Sequence, residues 1–220
     1  MDSATLQNTR RALHAVAELV MAGPQYRASG TIRLRVGPGG FATVAQPELR
    51  VEGGELVTGS DAGSDVRRLP LDGASCAALA REAGAEAGAP AGLYAEGSGV
   101  GAEEVLRVDP AAARLILDGF ARGDTALRAF APDLRPVLWP EHFDLGITVD
   151  SVNYGVSPGD SHAGEPYAYV GPWTRRQGPF WNAPFGATRP LRELTDAAAV
   201  QAFFADGRAR AAADPPAPQG

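Results

Sequence analysis

The chain has 220 residues, of which 45% are hydrophobic and 21% charged, with a formal net charge of -6; that is enough apolar material for one sizeable core. An acidic balance speaks against a general nucleic-acid binder, which needs a basic surface to neutralise phosphate, and the longest apolar run, residues 12–22, is too short to cross a bilayer and is broken by His14 and Glu18. All 20 basic residues are arginine, so chemistry that needs a lysine is excluded, including Schiff bases, the phosphate-loop lysine and a lysine general base.

Apolar Leu6, Leu13, Val16, Ala17, Val20 and Met21 recur at helical spacing and predict an amphipathic helix over residues 4–22, stopped by Gly23-Pro24. Before it, residues 1–10 show no basic start leading into an apolar leader. Ile32, Leu34 and Val36 alternate with polar residues as a half-buried strand does, and Gly37-Pro38-Gly39-Gly40 turns the chain into a strand at Phe41 to Val44. Leu49 and Val51, then Gly53-Gly54, then Leu56 and Val57 predict a second hairpin. The sheet therefore begins as an antiparallel meander. Residues 58–72 read as a loop, and Ser75 as the cap of a helix over residues 76–87 that carries the single cysteine, Cys76. One cysteine forms no internal disulfide, which agrees with a reducing, cytoplasmic location.

Gly97 to Ala102 matches a loose dinucleotide pattern, but Asp109-Pro110 opens the next helix too soon for a long helix to receive a pyrophosphate. That next helix has Asp109 as its cap and Leu115, Ile116 and Phe120 as its buried side, and a short second helix follows at residues 124–130. Leu145, Ile147 and Val149 form a strand, Ser157-Pro158-Gly159-Asp160 a turn, and Tyr167 to Val170 another strand. Thr195 caps a final helix containing Val200, Phe203 and Phe204. The fold class is α+β, a mainly antiparallel sheet with helices on one face, forming a single domain over residues 1–212 with a disordered tail at 213–220.

Nine of the sixteen aromatic residues fall between Trp139 and Phe185, together with two of the three histidines and several acidic residues. Apolar walls with a few polar groups are what ligand pockets require, although such clusters also build ordinary cores. The candidate ligand-binding residues are Trp139, Asn153, Tyr154, Glu165, Tyr167, Tyr169, Trp173 and Trp181. His142 and Asp144 lie two apart at a strand entrance, so their side chains would share a face and could act as an acid-base pair. Asp160 and His162 repeat that spacing; if the two pairs met, they could hold a divalent metal. A solvated strand face is the simpler reading, so no metal and no cofactor is assigned. Cys76 reads as an inert buried thiol and His14 as a packing residue.

The segments Pro136 to Leu145, Tyr154 to Asp160 and Glu165 to Val170 together resemble a bacterial family of unknown function that joins a W-x-x-F-D-L strand to an S-P-G-D turn and an E-P-Y-x-Y strand. The chain departs from that pattern at Asp150-Ser151 and His162. The resemblance implies that residues 136–173 form one connected unit, and it carries no activity with it. Three functions are then expected in order: a small-molecule binder with its pocket in residues 136–185; an interaction protein docking a partner through an exposed aromatic loop at 178–185; and a metal-dependent hydrolase. No pattern in the chain bears on its oligomeric state.

Overall fold

The computed structural model describes residues 2–59, 66–94 and 97–217. It has the α+β architecture that the patterning predicts, with antiparallel strand pairings between its named strands. The sequence predicts one domain over residues 1–212; the chain clusters into two compact units, one built from residues 1–121 and 137–143 and the other from residues 122–136 and 144–220.

The first unit opens with helix α1 (Ser3–Ala15), capped by the Asp2 carboxylate, which accepts from the Thr5 backbone N–H. The expected stop at Gly23-Pro24 does not occur. The backbone widens into a π-helical segment, Val16–Ala22, and continues as α2 (Gly23–Ser29) until Gly30, in the left-handed conformation, ends it. Proline has no N–H and its ring clashes with the carbonyl four residues back, and the wider turn lets the helix pass through it. Gly23 is needed for a second reason: a Cβ there would sit 1.6 Å from the Gly88 carbonyl oxygen. The Leu19 carbonyl accepts from the Gly88 N–H instead.

The fully buried Gln25 then ties helix to sheet. Its amide donates to the carbonyls of Thr31 and Arg33, and its oxygen accepts from the N–H groups of Val44 and Ala45. The meander β1 (Leu34–Gly37), β2 (Gly40–Thr43), β3 (Leu49–Glu52) and β4 (Glu55–Thr58) pairs antiparallel in chain order, as the hairpin signals predict. The expected loop over residues 58–72 is corrected in part. Arg67–Pro70 forms β5 on β4, an exposed edge strand whose paired arginines gave no apolar signal, while residues 60–65 lie outside the described residues. Helix α3 (Cys76–Glu82) is shorter than expected, with Ser75 as its cap.

Helix α4 (Pro110–Phe130) runs unbroken where two helices were expected. Asp109 caps it by accepting from the N–H groups of Ala111 and Ala112. Ile116 and Phe120 are buried as predicted, but Leu115 is 46% exposed, because Ala112, Ala113 and Leu117 complete the inward stripe. Strand β6 (Val137–Trp139), which the sequence does not predict, pairs with β1 at Leu34 and Leu138.

In the second unit β7 (Asp144–Val149), β8 (Val152–Ser157), β9 (Tyr167–Pro172) and β10 (Ala187–Pro190) pair in chain order. Strand β8 was hidden because its hairpin turns on Asp150-Ser151, both with positive φ, rather than on the Asn-Gly or Asp-Gly that marks such turns. Cross-strand partners Leu145 and Val156, and Tyr154 and Val170, share one face. The end of α4 and helix α5 (Ala197–Ala213) pack on it. A Cβ at Gly123 would meet Val156 at 2.7 Å, and one at Gly207 would meet Val170 at 2.7 Å, so both glycines set the closeness of helix to sheet. Asp196, not Thr195, caps α5. Residues 214–217 of the expected tail are hydrogen bonded, with Pro215 accepting from the Gln177 N–H and the Ala217 N–H donating to Arg175, while residues 218–220 lie outside the described residues.

Candidate functional site

The face of the four-stranded sheet away from α5 carries the groups that the sequence singled out. Asp144, Gly146 and Thr148 on β7, Asn153 and Gly155 on β8, and Tyr167, Tyr169 and Gly171 on β9 all point to that side, by alternation and by register. Two glycines make room. A Cβ at Gly155 would meet the Tyr169 hydroxyl at 2.4 Å and one at Gly146 would meet it at 2.9 Å, so the phenol lies across both and donates to Asp144 Oδ2. Burial, then the charge of Asp144, pushes the Tyr169 phenol well above its ordinary pKa.

Beside this pair lies an open groove of about 390 Å3, bordered by Asn153, Tyr169, Trp173, Arg175, Pro184 and Phe185, with Gly171 and Pro172 completing its lining. Trp173 is 69% exposed and Phe185 40% exposed. The indole is nonetheless tethered: its Nε1–H donates to Asn153 Oδ1 at 3.2 Å, and the same oxygen accepts from Thr148 Oγ1 at 2.8 Å.

The other predicted residues do not border the groove. Tyr154 is fully buried against Phe130 and Phe204, a core side chain on the opposite face of the sheet, and burial pushes its phenol up to about 12. Tyr167 donates to Asp160 Oδ2, while Asp160 Oδ1 accepts from the backbone N–H groups of His162 and Ala163, so that carboxylate holds its own turn. Glu165 pairs with Arg192. In the loop at 178–185, Phe180 packs on Phe203 and under the Arg210 guanidinium, and Trp181 Nε1 donates to Asp214 at 2.9 Å.

Trp139 and His142 belong to the first unit. Trp139 lies under the Arg33 guanidinium, 5.8 Å from its ring centre, and the His142 side chain is 65% exposed, 3.8 Å from Glu141. The spacing that put His142 and Asp144 on one strand face does not hold, because Phe143 between them has a φ of 53° and residues 140–143 form a turn that ends where β7 begins. Phe143 is held in that unfavourable conformation by packing: His14 stacks on it, and Phe41 and Phe120 meet it edge-on. Among the described residues no group of three or more His, Cys, Asp or Glu side chains is arranged to hold a metal ion.

The sequence reading missed Arg175 and a buried polar centre in the first unit. Glu18, 5% exposed in the π-helical segment, accepts from the Ser98 N–H at 2.8 Å and the Ser98 hydroxyl at 2.7 Å, with Gly97 so close that a Cβ would overlap the carboxylate. Arg11 closes the loop over it by donating to the Gly99 carbonyl and pairing with Glu104. Burial, and then the charges of Glu18 and Glu104, pushes the Cys76 thiol up to about 12, so it is protonated and inert. Burial also holds His14 below its ordinary value; its Nε2 lies 2.7 Å from the Pro140 carbonyl oxygen and so carries the proton. The visible signal was a carboxylate at helical spacing within an apolar stripe, four residues from His14.

The class these features define is an antiparallel α+β protein with an aromatic groove on the sheet face away from α5. No family model matches the chain, and neither a curated protein nor a solved structure does. Among the described residues no helix is long and apolar enough to cross a membrane.

Proposed function

We propose that the protein binds a small molecule in the groove of the second unit, between Trp173 and Phe185. One observation carries this reading: a tryptophan that is 69% exposed is held in place by a hydrogen bond rather than by burial. An indole left in water forgoes the roughly 25 cal/mol per Å2 that its apolar surface would gain on burial. Tethering it beforehand lowers the entropic cost of closing on a flat ligand. The glycines beneath Tyr169 and the tie between Tyr169 and Asp144 make the floor rigid, as a preformed site requires. Binding, rather than catalysis, is the reading favoured, because one Asp144 oxygen is occupied by a phenol that stays protonated at neutral pH.

Thermal shifts over a panel of metabolites, measured for the parent and for Trp173→Ala, test it. Trp173 lies outside the core, so the variant should melt close to the parent while losing the ligand-induced shifts. A hit whose shift is the same in both proteins would refute binding at this groove.

A further inference from the structure

The chemistry of the groove's uncommitted polar atoms narrows what it takes, an inference that rests on the groove being a binding site. Tyr169 Oη already donates to Asp144, and Trp173 Nε1 already donates to Asn153 Oδ1. With that oxygen accepting from both Trp173 and Thr148, the amide nitrogen of Asn153, a residue that lines the groove, is left as a donor. The Arg175 guanidinium has no carboxylate partner among the described residues; its hydrogen bond in this region is made by its backbone carbonyl, which accepts from Ala217. No acidic side chain lines the groove. Two lining side chains, Asn153 and Arg175, therefore keep donors uncommitted, one of them cationic, in a chain whose net charge is -6.

We infer that the groove binds a flat apolar molecule carrying a single carboxylate, its ring system between Trp173 and Phe185 and its carboxylate on Arg175 and Asn153. A guanidinium fork matches a carboxylate in geometry. One arginine balances one negative charge, whereas a phosphate dianion would be left half unneutralised.

The test uses two probes of nearly equal shape, 2-naphthoate and neutral 2-naphthamide, titrated into 15N-labelled full-length protein while the indole N–H signals are followed. Trp173→Phe assigns the Trp173 signal among those of the three tryptophans. The expected result is that naphthoate moves the Trp173 signal and binds at least about fivefold tighter than naphthamide. Arg175→Gln should abolish that preference, Arg175→Lys should keep part of it, and added salt should weaken naphthoate alone. Equal binding of both probes to the parent, or a preference that survives Arg175→Gln, overturns the carboxylate assignment while leaving an aromatic groove. A Trp173 signal that neither probe moves overturns the groove as well.

Discussion

Removing the Ser98 hydroxyl should destabilise the first unit through a side chain that lies far from it in sequence. Glu18 is almost fully buried, and Ser98 supplies two hydrogen bonds to one of its oxygens, from the backbone and from the hydroxyl. A hydrogen bond to a charged group is worth about 1.5–3 kcal/mol. Ser98 is itself only half-buried, so in Ser98→Ala water regains part of that interaction, and the expected loss is about 1–2 kcal/mol. In a Glu18→Ala background the hydroxyl has no charged acceptor, and the same substitution should cost little, leaving a coupling of about 1–2 kcal/mol between the two positions. Urea unfolding of the four proteins, with comparable slopes against denaturant, measures it. A Ser98→Ala cost below about 0.5 kcal/mol, or one that is equal in both backgrounds, would refute the view that the loop is fastened by this carboxylate.

Two further outcomes follow from local geometry. Ser151 turns the β7–β8 hairpin with a φ of 60° and is exposed; Ser151→Gly should therefore raise stability by about 0.5 kcal/mol in urea, relief of the left-handed strain exceeding the added freedom of the unfolded chain, and a loss would contradict that balance. His14 is held below 6.5 by burial, so below about pH 6.5 the unfolded chain takes up a proton that the folded chain refuses. The contribution to stability is full above that pH and declines as pH falls toward the folded value, with a slope of at most about 1.4 kcal/mol per pH unit. Denaturation between about pH 5 and 7 should show a shallower acid loss in His14→Gln, and an unchanged profile would mean that His14 is not buried neutral.

The sequence by itself determined the elements whose signals are local: the stripe of α1, the paired hairpins with glycine at their turns, the Asp109 cap and the α+β class. It also concentrated attention on the segment that bears the groove. What it could not order was anything decided by a neighbour distant along the chain. Helix α2 continues through Gly23-Pro24 because a π-turn absorbs the proline and because Gly88 packs on Gly23. Edge strand β5 exists because β4 offers it hydrogen bonds, not because its own residues are apolar. The aromatic cluster was legible as a group but not in its two fates. Strand register sends Tyr154 into the core and Tyr169 to the opposite face, and the Phe143 turn breaks the alternation that had aligned His142 with Asp144. Side-chain identity sets which contacts are favourable, while pairing and twist choose which side of a sheet each residue occupies. The groove, with Arg175 at its rim, is therefore a product of tertiary register rather than of any local pattern.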